Sequence, residues 1–362
     1  MIVTKLELNN FRNYDSLCLK PDAKTNILYG KNAQGKTNIL ESVYLCSTTK
    51  SHRSSKDLEL IKFGCEEGHI KIFINKKKKE YRIDIHLRKN KSKGIAINGI
   101  PIKKASELFG IFNVIFFSPE DLNIIKNGPA ERRKFVDMEL CQLDKIYVYN
   151  LIHYNKVLGQ RNQLLKDIYF RPDLKDTLDV WDMQLAEYGS KVIRRRVEFI
   201  NNINEIIKPI HKELTNGKEN LEVVYNKNCE EDILYDQLQA SREKDMKYKT
   251  TSVGPHRDDI IFYNDQINIR TYGSQGQKRT VALSLKLAEI ELVKSIINDT
   301  PVLLLDDVLS ELDSDRQNHL LKSINDIQTI ITCTGLDEFI ENRFKINKIF
   351  NVLEGKVEEK TV

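Results

Sequence analysis

Between Gly68 and Ile102 apolar residues fall at every second position: Ile70, Ile72 and Ile74, then Tyr81, Ile83, Ile85 and Leu87, then Ile95 and Ile97, then Ile100 and Ile102. A period of two means one buried and one wet face, so the run predicts an antiparallel meander, with Asn98-Gly99 as one of its tight turns. The breaks hold Lys76-Lys77-Lys78-Lys79, Lys89, Lys91 and Lys93, with Lys103 and Lys104 beyond. Lysines there either follow a phosphate backbone or keep a sheet edge soluble and unpaired. Residues 1–8 alternate in the same way, and residues 2–30 read as two or three strands, with 9–14 as the loop after the first.

The period changes after a buried-type strand at 111–117, which Ser118-Pro119-Glu120-Asp121 closes. Tyr147, Leu151, Tyr154 and Leu158 are spaced four, three and four; Leu178, Trp181, Leu185, Tyr188, Val192, Phe199, Ile203 and Ile206 keep nearly the same beat until Pro209. Two antiparallel helices forming an arm are predicted, with residues 167–176 as its tip. Lys191, Arg194, Arg195 and Arg196 lie on it, as a solvated face or a nucleic-acid contact. Strand texture returns at 221–225 and, after a polar helix, at 252–270, read as a hairpin turning near Asn264-Asp265 with Gly254-Pro255-His256-Arg257-Asp258-Asp259 inside it. A helical insert thus separates two α/β halves.

Chemistry sits in both halves. Gly30-Lys31-Asn32-Ala33-Gln34-Gly35-Lys36-Thr37 satisfies G-x-x-x-x-G-K-[ST] between a short strand, residues 25–29, and a helix opening at Asn38. The glycines let backbone N–H groups turn inward, the helix adds its positive end, Lys36 reaches the outer phosphates and Thr37 offers its hydroxyl to Mg²⁺. Arg53, in the polar loop 51–56, is either a surface residue or a further contact to the nucleotide. In the second half, Pro301-Val302-Leu303-Leu304-Leu305-Asp306-Asp307 reads as a buried parallel strand ending in two acids. Asp306 is the natural Mg²⁺ ligand, through water, and Asp307 is placed to orient or deprotonate the attacking water. Between them Tyr272-Gly273-Ser274-Gln275-Gly276-Gln277-Lys278-Arg279 precedes a long helix, with Ser274 as its N-cap. That is a second anion-binding terminus. One nucleotide already wrapped by its own loop cannot use it from the same chain, whereas two copies of the chain can.

Composition adds limits. The 362 residues suffice for two domains; 40% hydrophobic and 30% charged residues with net charge +5 describe an ordinary soluble protein that tolerates an anionic partner. Cys18, Cys46, Cys65, Cys141, Cys229 and Cys333 form no C-x-x-C pair, which argues against a zinc site or disulfide framework. No signal-peptide block or membrane-length apolar run is seen, and a cytoplasmic protein is expected.

Phosphate loop, Ser-Gln-Gly-Gln element, LLLDD strand and Ser310-Glu311-Leu312-Asp313 together resemble the ABC-type head of SMC proteins. The short arm, Phe117-Ser118-Pro119-Glu120-Asp121, Gly128-Pro129, Arg132-Arg133, Asn10-Phe11-Arg12-Asn13-Tyr14 and residues 251–259 are similar, more specifically, to the RecF family of bacterial recombination mediators. The resemblance implies an α/β ABC-type P-loop head, residues 1–117 and 250–362, built of a mixed central sheet and an antiparallel β meander, with an inserted helical arm at 118–249. It implies ATP and Mg²⁺ as cofactors and adds Arg12 to the nucleotide-binding residues Gly30 through Asn38. It further implies that Ser274, Gly276 and Gln277 meet the γ-phosphate held by a second copy, and that Asp313 lies in the loop crossing that interface. Glu120 or Asp121 stands where such heads carry a Gln, Asp307 where they carry Glu, and Thr or Cys of residues 331–335 where they carry a switch His. The implied activity is slow ATP hydrolysis used as a switch on a homodimer that clamps double-stranded DNA beside single-stranded gaps and works with a RecR-type mediator. A small-molecule P-loop kinase, or a transporter's ATPase subunit, would explain the loop but not the second helix terminus and the arm together.

Overall fold

The computed structural model describes residues 1–54, 56–335 and 346–360. They pack as two compact units, Met1–Asp121 with Glu289–Val362, and Leu122–Ala288. In the first, β1 (Ile2–Phe11) and β2 (Tyr14–Leu19) pair antiparallel. Asn9 and Phe11 are already paired, with Ser16 and Tyr14, so the expected loop at 9–14 shrinks to the two-residue turn Arg12-Asn13. Next come β3 (Thr25–Tyr29), the glycine loop and α1 (Lys36–Thr48). The meander follows as β4 (Glu67–Lys76), β5 (Lys79–Arg88), β6 (Lys91–Ile97) and β7 (Ile100–Pro101), in a sheet ordered β2-β1-β4-β5-β6-β7. Its inner row, Ile70, Ile72, Ile74, Ile83, Ile85 and Leu87, shares one core with Ile39, Leu40 and Val43 of α1. Each such side chain contributes roughly 1.5–3 kcal/mol by leaving water. β8 (Val114–Phe117) is shorter than the predicted 111–117.

The second unit opens with α2 (Leu122–Lys126), α3 (Pro129–Leu143), α4 (Lys145–Asp167) and α5 (Leu178–Leu214). Of the predicted positions, Tyr147 and Tyr154 of α4 and Leu178, Leu185, Val192, Phe199 and Ile203 of α5 are buried, whereas Leu151, Leu158, Trp181, Tyr188 and Ile206 are half-buried. α5 does not stop at Pro209 but continues for five residues, because Ile207 and His211 are buried on either side of it and His211 Nδ1 lies 2.8 Å from Ser284 Oγ. Packing here outweighs the hydrogen bond a proline removes. β9 (Leu221–Asn226), α6 (Leu234–Ala240) and α7 (Arg242–Tyr248) follow. β10 (Asp259–Asn264) pairs with β9 and turns through Asp265-Gln266 into β11 (Ile267–Asn268). The hairpin is thus shorter than 252–270, and Pro255–Arg257 form a 3-10 turn ahead of it. The β9–β10 ladder keeps residues 250–288 with the helical unit, so the packing boundary falls at Ala288 rather than at residue 250. The basic run is paired within the unit: Lys191 with Glu187, Arg194 with Asp232, Arg195 with Asp144 and Glu198, and buried Arg196 with Asp137.

α8 (Ile269–Tyr272) leads to α9 (Gln275–Ile297), which returns the chain to the first unit. There β12 (Val302–Asp306), α10 (Ser314–Ser323), β13 (Thr329–Cys333), β14 (Lys348–Leu353) and β15 (Lys356–Lys360) complete a sheet ordered β15-β14-β3-β13-β12-β8, parallel except for β15. Val302 through Leu305 and Thr329 through Cys333 are buried, the unbroken run a parallel sheet covered on both faces requires. Among the described residues no helix is long and apolar enough to cross a membrane.

Arg161, fully buried, donates to Asp182 (2.6 Å), Asp245 (2.7 Å) and Thr251 (2.9 Å). Replacing it by Met leaves buried Asp245 without its cation, while Asp182 keeps Arg242. Arg161→Met is expected to destabilise the helical unit by about 3–5 kcal/mol; an unchanged urea midpoint would reject that assignment.

Candidate nucleotide site

The loop between β3 and α1 has the backbone its sequence demands. Gly30 sits at φ 153° and Gly35 at φ 110°, where a Cβ would lie 2.3 Å from Val352 O and 2.5 Å from Asn13 Nδ2. Ala33 accepts a left-handed φ of 63° between them. Gly35 is the N-cap of α1 and offers no capping side chain, and no acid stands in the first turn. The first amides of α1 therefore face outward without a helical partner, the arrangement that holds anionic oxygens. Lys36 folds back over the loop, donating to Gly30 O (2.5 Å) and Lys31 O (2.9 Å). Burial pulls its pKa down, against the opposing pull of Asp307, Cys333 and Asp306.

Residues of the β1–β2 turn hold the loop from beneath. Asn13 Nδ2 donates to Gln34 O (3.0 Å), Asn13 Oδ1 accepts from Asn38 Nδ2 (2.8 Å), and Tyr14 Oη donates to Gly35 O (3.0 Å). Gln34 Oε1 accepts from the amide of Glu354 (2.6 Å). Arg12 takes another course: Nε and Nη2 grip the buried Glu41 (2.8 and 2.7 Å), with further bonds to Ser54 Oγ and Glu59 O. Burial would raise the Glu41 pKa, but hydrogen bonds from Arg12 and Ser51 outweigh it and hold the carboxyl below its ordinary value. Arg12 thus ties α1 to the segment around residues 54–59. A cleft of about 940 Å³ opens beside it, lined in part by Asn13, Asn38, Arg53, Phe63 and Lys89.

The two acids arrive across an intervening strand. β13 lies between β3 and β12, and Thr332 is in register with Leu28 on one side and Asp306 on the other. Its hydroxyl donates to Asp306 Oδ1 (2.7 Å) and accepts from the Asp307 amide (3.0 Å); Thr37 Oγ1 donates to the same Oδ1 (2.9 Å). Burial raises the Asp306 pKa, against the pull of those two hydroxyls. Asp307 is held at φ 54°, a left-handed conformation costing on the order of 1 kcal/mol. Thr37 and Asp306 present converging hard oxygen donors, a set that suits Mg²⁺.

The remaining predicted residues are placed as follows. In the second unit Ser274 and Gln277 make a reciprocal capping box on α9: Ser274 Oγ accepts from Gln277 N (3.1 Å) and Gln277 Oε1 from Ser274 N (2.9 Å). Ser274 and Gly276 are exposed, and the Gln277 amide also reaches Glu219 (3.1 Å). Asp313 caps α10 through Arg316 N (3.0 Å). Asp121 accepts from Ser118 N (2.7 Å), closing its own turn, while Glu120 is exposed. The structure therefore gathers Lys36, Thr37, Asp306 and Asp307 at one place. The supporting roles of Asn13, Tyr14 and Glu41 went unread; Asn13 and Tyr14 sit at the β1–β2 turn, well before β3 in sequence, and carry no periodic signal.

A family model described as RecF/RecN/SMC N terminal domain matches residues 2–358. The DNA replication and repair protein RecF of Agathobacter rectalis is 63% identical over 358 residues, covering 99% of each chain. The solved structure of the recombination mediator protein RecF-ATP in the RecFOR pathway shares 36% identity at a TM-score of 0.91, over 99% of this chain and 98% of that one. A Pyrococcus furiosus Smc head domain with an extended coiled coil, bound to the C-terminal domain of ScpA, shares the fold at 16% identity and a TM-score of 0.58, over 100% and 96%.

Two outcomes are expected at this site. Asn13→Ala removes two hydrogen bonds of about 1 kcal/mol each, so ATP affinity should fall by up to roughly thirtyfold, with a thermal midpoint lower by a few degrees. An unaltered Kd would show that the turn does not shape the loop. If Asp306 holds Mg²⁺ it must be ionised to do so, and because its pKa is raised, Mg²⁺-assisted ATP binding should then weaken as pH falls, starting above the ordinary carboxylate titration near 4. Asp306→Asn should flatten that profile; an inflection at the ordinary carboxylate value in the unaltered protein would contradict it.

Proposed function

Because the chain belongs to the RecF/RecN/SMC N-terminal domain family, we propose that it is an ATPase of DNA replication and repair whose nucleotide acts as a switch. The observation that carries this reading is the convergence of Thr37, Asp306 and Thr332 at the mouth of a loop whose amides face outward. ATP lies with its phosphates in the loop formed by Gly30 through Asn38 and its nucleoside toward the cleft at Asn13 and Asn38. Thr37 and, through water, Asp306 hold Mg²⁺, which neutralises charge on the outer phosphates when bound. Asp307 positions the water that attacks. An Asp is one methylene shorter than the Glu of related heads, which fits slow turnover.

The second anion site completes the switch. Ser274 and Gly276 are exposed at the start of a long helix whose first turn carries no acid. They take the γ-phosphate of ATP on a second copy, with Asp313 in the loop crossing the interface. ATP then joins two chains into a clamp on double-stranded DNA next to a single-stranded gap, and hydrolysis releases it. The clamp acts with a RecR-type mediator, in the cytoplasm and on the nucleoid, to load the strand-exchange recombinase. The lysine turns Lys77-Lys78 and Lys103-Lys104 remain exposed and available to phosphate, whereas Lys76 and Lys93 are occupied within the head.

Light scattering should show ATP-dependent dimers, accumulated by Asp307→Asn and lost in Lys36→Ala and Ser274→Arg; a monomeric Asp307→Asn protein with ATP would sink the model. Duplex binding should be strongest with ATP and fall steeply with salt as counterions cease to be released. Affinity indifferent to nucleotide would refute the clamp.

A further inference from the structure

The outer face of the meander carries a cluster that the nucleotide reading leaves unused. His69 of β4 and His86 of β5 stand directly opposite in the antiparallel ladder, and Glu67, two residues before His69, shares their face. Lys76 and Lys79 flank the two-residue turn as a hydrogen-bonded pair. Pairs alternate outward from there, so His69 and His86 fall at a non-hydrogen-bonded position, where cross-strand side chains approach most closely. Their rings stack with centroids 4.1 Å apart and planes 20° apart. His86 Nε2 lies 2.8 Å from Glu67 Oε2 and His69 Nε2 3.7 Å from Glu67 Oε1. One donor atom of each residue lies within 4.8 Å of the other two.

We propose that Glu67, His69 and His86 form a binding site for a divalent transition-metal ion of the Zn²⁺ class. Two imidazole nitrogens and one carboxylate oxygen are the ligand set Zn²⁺ takes at open sites, at about 2.0–2.2 Å, leaving a further position for water or an outside ligand. Small rotations on an exposed surface bring donors now 2.8 and 3.7 Å apart around one ion. Nitrogen in two of three positions disfavours Mg²⁺ and Ca²⁺. Coordination through Nε2 leaves each ring proton on Nδ1. The flanks admit an ion: Gly94, opposite His86 on β6, has no side chain, and Asn9, opposite His69 on β1, adds a polar neighbour. An ion here would cross-link β4 to β5 and stiffen the hairpin that ends in the exposed Lys77-Lys78 turn.

The test is calorimetric titration of the full, nucleotide-free chain with ZnCl₂, with Co²⁺ absorption as the spectroscopic signature. The expected result is one Zn²⁺ per chain, a thermal midpoint raised by Zn²⁺ through linkage, and affinity at least roughly tenfold weaker in His69→Ala and in His86→Ala. Asp306→Asn, which alters the nucleotide site, should retain the ion. Glu67→Gln, at an exposed carboxylate, is the second variant should a histidine change disturb the sheet, and it should weaken Zn²⁺ binding likewise. Binding equal in the unaltered protein and in the His69→Ala/His86→Ala double variant, or lost in Asp306→Asn instead, would overturn the proposal.

Discussion

One strand set between two others governs the nucleotide loop. β13 separates the strand that feeds the loop from the strand that ends in acids, so anything linking them must cross its end. Thr332 does so with a single hydroxyl, giving its proton to Asp306 and its lone pair to the Asp307 amide. The bond to Asp306 compensates a carboxylate drawn into a poorly solvated place; the bond from Asp307 pins a residue in a backbone conformation it would not otherwise keep. A histidine there would be larger and would titrate near neutral pH. Threonine instead makes the position a fixed brace.

The loop is organised by what happens to its carbonyls. Those of Gly30, Lys31, Gln34 and Gly35 are all occupied by side-chain donors from Lys36, Asn13 and Tyr14. With the acceptors engaged on one side, the amides are turned to the other. Specificity for anions thus comes from hydrogen bonds made on the far side of the backbone. The Lys36 ammonium is the one of these donors that also bears the charge a phosphate would attract.

Local signals were legible and non-local ones were not. The period-two run survived into β4–β7 because one face is buried, and the glycine loop because its conformation admits few residues. Residues 9–14 misled because a polar string resembles a loop, whereas Arg12 at φ 53° lets two strands turn in two residues. Pro209 read as an end because tertiary contacts are invisible in a helical period. The ion pair of Arg12 with Glu41 was not legible, because its partner is 29 residues away. In the basic run of α5 Lys191 and Arg194 are exposed, as a solvated face would have them, whereas the burial of Arg196 was not legible because the acid that answers it, Asp137, comes from another element. Strand order decided where Thr332 stands, and no spacing in the chain encodes that order.

The proline inside α5 also has a mechanical meaning. At 37 residues this helix extends on the order of 55 Å. It is a lever with one missing rung, because the Glu205 carbonyl lacks the amide that would have closed its turn. Beyond that rung the last turn is fastened through His211 to Ser284 of α9, the helix that begins at Ser274. The turn at Pro209 is thus the one place in α5 where a missing backbone hydrogen bond is replaced by tertiary contacts, those of Ile207 and His211. One helix therefore carries two kinds of support, its own backbone ladder along most of its length and side-chain packing at a single turn.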